Sequence, residues 1–350
     1  MTARTTGAGA RRPPGRRAAR VLAAALALLA ALTGALVYYC TAMPGESLSG
    51  ALPALTAAES VVAQELRGHV TRLATDIGER RAIEGDSLRR AESYLQSELA
   101  KLVSSSVKLR REPIKDAPGD PANLVLDLAG RQAGPLILLG AHYDTAPGGT
   151  PGANDNGSGT AAALVLANRL APTVHELPIR IVLFANEEMP YFQTPTMGSL
   201  QHAQGCRARG EELRAMFSLE TMGYFSDAAG SQRYPAPLDR LYPDRANFIA
   251  FVGNLGSRGL VRESIGHFRE HASVPSEGGA LPSLLPGVGW SDHWAFWDTG
   301  YDALMVTDTA LFRDPTYHRT SDIPSNLDFE RLARVVVGLQ RVVEALAAAR

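Results

Sequence analysis

Five short clusters of His, Asp and Glu stand at or just past the ends of strand-like apolar runs. They are GAHYDT (140–145), GANDNGSG (152–159), FANEE (184–188), SLETMGY (218–224) and YHRTSD (317–322). Imidazole and carboxylate together suit zinc, and a carboxylate shared by two ions suits a two-metal site. In HYD, His142 and Asp144 lie on one side of an extended chain, so one can ligate while the other orients it. Asp322 stands in the same relation to His318. FANEE closes PIRIVLFANEE with adjacent carboxylates, Glu187 and Glu188, whose side chains diverge from an extended backbone. Each cluster alone has a plainer reading. NDNGSG is ordinary turn chemistry, Asp155 would serve as a cap for a helix from Gly157, and Glu220 would be an exposed strand end. Five such coincidences in one chain are not expected.

H-x-D-T, G-A-N-D-N-G-S-G, N-E-E and Y-H with a following Asp together resemble the co-catalytic zinc exopeptidases. That family includes secreted bacterial aminopeptidases, glutamate carboxypeptidase and the glutaminyl cyclases. The resemblance extends from about residue 60 to the C-terminus, with its motifs between 140 and 322. It implies two zinc ions per chain, one held by His142 and Glu220, the other by Glu188 and His318, with Asp155 bridging. Glu187 would be the general acid/base, outside the ligand set, and Tyr317 would stabilise the oxyanion. The family also holds the peptide bond after the bridging Asp in cis, here Asp155–Asn156. Two Zn²⁺ against three carboxylates and a bridging hydroxide give a neutral cluster, whereas the same carboxylates without metal would repel one another. One position departs from the family: Glu220 stands where well-studied aminopeptidases carry Asp, which leaves the substrate subclass open.

The activity implied is zinc-dependent removal of an end residue from a peptide, foremost by an aminopeptidase. A glutaminyl cyclase-type aminoacyltransferase, a zinc carboxypeptidase and a non-catalytic receptor-like homologue are the alternatives on the same fold. The cyclases work with one zinc, so the full ligand set favours the two-metal hydrolase. WSDHWAFW (290–297) supports two readings. Asp292 and His293 resemble an S-D-H segment near the substrate site of relatives. Alternatively, Ser291 or Asp292 caps a short helix that turns Trp294 and Trp297 inward. EMPYFQTPTMGS (188–199) is read as a pocket wall or as loop packing. His69, His175, His202, His267 and His271 lack a partner pattern and are expected at the surface.

These residues need a scaffold that gathers strand ends. Apolar runs SVKLRRE, NLVLDLAG, PLILLGAHYD, PIRIVLFAN, AMFSLETMG, ANFIAFVG and DALMVTD read as strands. Helical periodicity covers about 58–77, 86–104, 157–171, 256–272, 291–298 and 327–348, and 226–245 reads as a long surface loop. Alternating strands and helices predict an α/β fold, a three-layer sandwich around a mostly parallel, mixed central sheet. The resemblance makes it the phosphorylase/hydrolase-like fold of zinc exopeptidases.

The chain has 350 residues, 45% hydrophobic and 20% charged, ample for a large core. Six arginines and no acid occupy residues 1–20, and the remainder carries 29 basic and 36 acidic residues, a net of −7. That acidic body offers no basic surface for nucleic acid. Residues 21–39 are 19 uncharged residues, ~28 Å of helix, enough to cross a bilayer. The arginines before them place the N-terminus in the cytoplasm. The expected plan is a basic cytoplasmic tail (1–20), a transmembrane signal anchor (21–39), a stalk (40–56) and an extracytoplasmic peptidase domain (57–350). Secretion after cleavage is the alternative, although Cys40-Thr41-Ala42 is a poor cleavage match. With two cysteines, Cys40 and Cys206, and one at the membrane edge, no intramolecular disulfide is expected.

Overall fold

The computed structural model describes residues 15–83 and 85–348, and the first three arginines of the basic tail lie outside them. The apolar runs form β1 (Val107–Pro113), β2 (Ala122–Leu128), β3 (Leu136–His142), β4 (Ile179–Phe184), β5 (Leu213–Glu220), β6 (Ile249–Gly253) and β8 (Leu304–Thr307). Between the last two lies β7 (Ser276–Ala280), a strand without apolar periodicity. All eight join one sheet in the order β1-β2-β4-β3-β5-β8-β6-β7. β3 pairs parallel with β4 and β5, β5 with β8 and β6 with β7; β1–β2, β2–β4 and β6–β8 are antiparallel.

Central strands are buried on both faces, as strands sandwiched between helices must be. On β4, Ile179, Ile181 and Leu183 enter one core, while Val182 and Phe184 enter the other. The first core is closed by α2 (Ala57–Thr71), α3 (Ser87–Ala100), α4 (Gly159–Leu170), α6 (Arg258–His271) and α9 (Phe329–Ala347). The second is closed by α5 (Gly198–Ala208) and α7 (His293–Asp298). A short α8 spans Ala310–Arg313. Thr56 and Glu59 start α2 with a reciprocal capping box.

Ahead of the sandwich, α1 runs Arg16–Thr41, and its 24 residues Ala18–Thr41 are long and apolar enough to cross a membrane. The first two residues of the expected stalk, Cys40 and Thr41, end α1, and from Ala42 it lacks regular structure but does not hang free. Arg258 Nε donates to Tyr39 O at 2.6 Å, Arg262 donates to Ala42 O, and Arg269 Nη1 donates to Pro44 O and Gly45 O at 3.0 and 3.1 Å. Ser47 Oγ accepts the N–H of Ser276 on the edge strand β7 at 2.9 Å. Two of the histidines expected at the surface are buried. His202 is enclosed beside Glu112, its Nδ1 3.0 Å from Oε1, and His175 Nε2 lies 3.0 Å from Leu170 O. Burial is tolerable for His202 Nδ1 and His175 Nε2 because each has a polar partner, whereas His202 Nε2 is buried without one.

Candidate metal centre

β3 is flanked by β4 on one side and β5 on the other, so chain direction across the sheet reverses there. The carboxyl ends of strands at such a reversal form the crevice where open α/β sheets bind ligands. β3 ends in His142, β5 ends in Glu220, and Glu187 and Glu188 follow two residues after β4. Asn186 and Thr221, beside these glutamates, have φ of 60° and 42°, and His318 has 56°. Left-handed backbone in non-glycine residues concentrates where function demands a particular side-chain direction.

The side chains converge. His142 Nε2 lies 3.1 Å from Glu220 Oε2, 3.4 Å from Asp155 Oδ1 and 3.8 Å from Glu187 Oε2. His318 Nε2 lies 2.9 Å from Asp155 Oδ2 and 3.5 Å from Glu188 Oε1. Two groups result, His142–Asp155–Glu220 and Asp155–Glu188–His318, each with ligand atoms within 4.8 Å of one another. Asp155 belongs to both, and its peptide bond to Asn156 is cis.

This donor set fits a pair of cations. Both Asp155 oxygens and Glu188 Oε1 are buried without a hydrogen bond, although imidazole nitrogens stand close by. Nitrogens and oxygens that converge without hydrogen-bond angles are arranged as ligands around an ion are. Among the described residues, the ion-pair partners of Asp155, Glu187, Glu188 and Glu220 are histidines alone. Burial pushes Glu187 and Glu188 well above the ordinary carboxylate range, and neighbouring acids add to it, Glu220 and Asp292 for the first, Asp155 for the second. Bound zinc would supply the missing positive charge.

The surroundings of each ligand are fixed by hydrogen bonds. Asp144 accepts the N–H of Glu187 at 3.1 Å and of Glu188 at 3.0 Å, bracing both glutamates at once. It lies 3.5 Å from His142 Nδ1, too far and misaligned for a hydrogen bond in this geometry. Asp322 was expected to orient His318; its carboxylate instead accepts the N–H of Asn154 at 2.8 Å and of Asp155 at 3.1 Å. The left-handed turn at His318 aims the imidazole across the site and leaves Asp322 facing the Asp155 loop. Tyr317 stacks on His318 with centroids 3.9 Å apart and shares a cleft wall with Glu220. Burial and the surrounding carboxylates raise its phenol well above the usual value, so it remains a donor.

WSDHWAFW divides between its two readings. Ser291 Oγ donates to Glu220 Oε2 at 2.8 Å, and Asp292 is buried, its carboxyl raised to about 7 by burial and by Glu220 and Asp144, with His142 opposing. Asp292 sits at the N-cap of α7 without a capping bond, while Trp294 and Trp297 pack on the second core. His293 turns away, its Nε2 2.8 Å from Val288 O and its ring edge-on to Trp297. In 188–199, Phe192 packs against Trp294 at 6.4 Å, as loop packing would have it.

Arg80 gave no usable signal in the sequence, and the motif around Asn156 gave no partner for its side chain. Arg80, fully buried, donates to the carbonyls of Tyr143 at 2.7 Å, Pro151 at 2.7 Å and Gly152 at 2.9 Å, tying the end of β3 to the loop before Asp155. Asn156 Nδ2 donates to Leu219 O at 2.8 Å while its Oδ1 accepts from Gly159 and Thr221, locking the bridging loop to β5. Beside Glu220 and Tyr317 opens a cleft walled by Tyr234, Leu238, Tyr242, Trp290 and Phe312. The expected surface loop 226–245 supplies part of that wall and buries Gln232 and Leu238.

Residues 123–342 match the model of peptidase family M28. The chain is 34% identical over 284 residues to YfbL of Escherichia coli K12, covering 79% of this chain and 86% of that one. It is 28% identical over 200 residues to aminopeptidase YwaD of Bacillus subtilis, covering 56% of this chain but only 38% of YwaD. The structure superposes on BSAP, a zinc aminopeptidase from Bacillus subtilis, with a TM-score of 0.63 at 16% identity over 82% of this chain and 95% of that one, a likeness of fold. A match that spans more than half the chain, together with a relative of this similarity over nearly its full length, makes the chain a member of peptidase family M28 and a metallopeptidase.

Proposed function

We propose that this peptidase removes N-terminal residues from peptides with two zinc ions, held to a membrane by α1. One observation carries the two-metal reading: Asp155 is shared by two complete ligand groups, so that one carboxylate can bridge two ions. When bound, the zinc pair would polarise the scissile carbonyl and lower the pKa of a bridging water. Glu187, buried 3.8 Å from His142 and absent from both ligand groups, would take the proton of the attacking water and deliver it to the leaving amine. Asp144 holds Glu187 through its backbone N–H, and Ser291 holds Glu220 through its carboxylate. The Tyr317 phenol, protonated at the cleft wall, donates to the oxyanion.

The charge of the cleft favours the amino end. Among the described residues its lining includes Glu220 and Glu277 and no Lys, Arg or His, so a substrate's free carboxylate would find no counter-charge there. An ammonium would meet Glu277. The apolar walls suit a large uncharged end residue, in keeping with the aminopeptidase names among the relatives.

A panel of free, N-acetylated and C-amidated short peptides incubated with the zinc-loaded full chain tests this. Cleavage lost on N-acetylation and kept on C-amidation is the expected result. The reverse pattern would make the enzyme a carboxypeptidase, and ring closure of N-terminal Gln without hydrolysis would make it a cyclase.

A further inference from the structure

The floor of the apolar cleft is a row of paired residues. Glu220 pairs with Thr307, Thr307 with Ala250 and Ala250 with Glu277, each on the next strand, and all four line the cleft. Three strand spacings of ~4.8 Å carry this row about 14 Å from the metal ligand to the edge strand β7. There it meets the end of α1. Cys40 is buried in an apolar cluster with Leu238, Leu281 and Val288, against which Tyr242 and Leu285 pack.

The end of α1 is clamped. Arg258, Arg262 and Arg269 share one face of α6 and bond the carbonyls of Tyr39, Ala42, Pro44 and Gly45. The Arg258 guanidinium also lies 4.1 Å over the Tyr39 ring. A span held this way cannot swivel freely against its domain, so the face beside Cys40 stays next to wherever the span leaves the bilayer. That face is apolar and exposed. Leu284 is 96% exposed and Trp290 51%, with Leu241 and Leu311 at 42% and 41%. All four stand on the segments that wall the cleft. Leu284 is three residues from Leu281 in the Cys40 cluster, within ~11 Å at full extension. Tyr38 and Tyr39 end the apolar run, the position of an interfacial aromatic belt. The interfacial layer beyond the hydrocarbon is ~5–7 Å deep on each side.

We propose that Leu241, Leu284, Trp290 and Leu311 rest in the phospholipid interface, so that the cleft opens at the membrane surface and takes peptides partitioned there. This rests on reading α1 as a membrane span and the site as an exopeptidase.

The test uses the full chain reconstituted in phosphatidylcholine vesicles. Trp290 emission is isolated as the difference between the wild type and Trp290→Phe, with lipids brominated near the glycerol end of the acyl chains as quenchers. Strong quenching of that difference signal is expected, and none would overturn the proposal. Leu284→Asp should lower cleavage of a vesicle-bound amphipathic peptide severalfold while leaving hydrolysis of soluble leucinamide unchanged. Equal rates on both substrates, or an equal fall on both, would contradict it. Flotation with vesicles reports the span, and leucinamide hydrolysis reports the exopeptidase. If both persist without quenching, the lipid-facing rim alone fails; if flotation is lost, the span and the rim fail together.

Discussion

At Asn186 the backbone turns left-handed, and Asp144 then receives two successive N–H groups from the residues that follow. This is how adjacent glutamates on one turn can reach different targets. Glu188 joins Asp155 and His318, while Glu187 approaches His142 without entering either ligand group. Glu187→Gln should therefore keep its metal and lose a factor of ~10²–10⁴ in kcat, the usual scale for a general acid/base. Elemental analysis alongside the assay checks it, and loss of metal in that variant would make Glu187 a ligand. Asp322→Asn should instead weaken zinc affinity by ~10–100-fold, since it removes an acceptor that holds the bridging loop. Competition with a chromophoric chelator measures that change. The residues themselves were legible because five His, Asp and Glu clusters recur at strand ends in one chain, although each alone has a plainer reading. The partner of Asp322 was not legible. Sequence proximity pointed to His318, but the positive φ of that residue turns its ring away, and the acceptor serves the Asp155 backbone.

Strands with continuous apolar runs read clearly, because burial on both faces leaves no room for polar alternation. β7, Ser276–Ala280, escaped because SEGGA carries two glycines and an acid. It is a strand by pairing with β6 and by the Ser47 contact at its outer edge. α5 escaped because small and polar residues fill its buried face, Gly198, Ser199, His202 and Cys206 among them. Between these elements, His202 and Glu112 link α5 to β1. Burial opposes ionisation of Glu112, yet hydrogen bonding from His202 and the Arg110 ion pair hold it near 2, below the ordinary 4.5. A carboxyl lowered on folding adds stability that is present above pH 4.5 and lost as pH falls towards 2. Burial also lowers His202, so stability declines as pH falls below its ordinary 6.5. Denaturation followed from pH 7 to 3 should show that acid loss, and Glu112→Gln should flatten its lower part. Close packing at the start of α4 gives a second expectation. A Cβ on Gly159 would run into the carbonyl of Leu219 and the side chain of Asn156. Gly159→Ala should cost ~1–3 kcal/mol of stability, measured by denaturant unfolding, and displace Asn156 from β5.

At the scale of the whole molecule, one sheet performs two tasks. The carboxyl ends of β3, β4 and β5 gather the ligands, and the rows of β8, β6 and β7 floor the cleft that leads from them to α1. The three-layer architecture was legible from the alternation of strands and helices. The clamp on residues 39–47 was not, because small and turn-forming residues read as a loose stalk until the arginines of α6 are placed against them. On the two-zinc proposal, metal neutralises the crowded buried carboxylates of the site, so chelation should lower Tm. Zinc at a thousand times its Kd would restore about 4 kcal/mol per site. The most direct measurement is a titration of the metal-stripped full chain with zinc, counting ions bound per chain while hydrolysis of a leucine-terminated peptide is followed. Two ions per chain, with activity rising to its maximum as the second is taken up, is the predicted result. A single bound ion that already gives full activity would contradict the shared role of Asp155 and the two-metal account built on it.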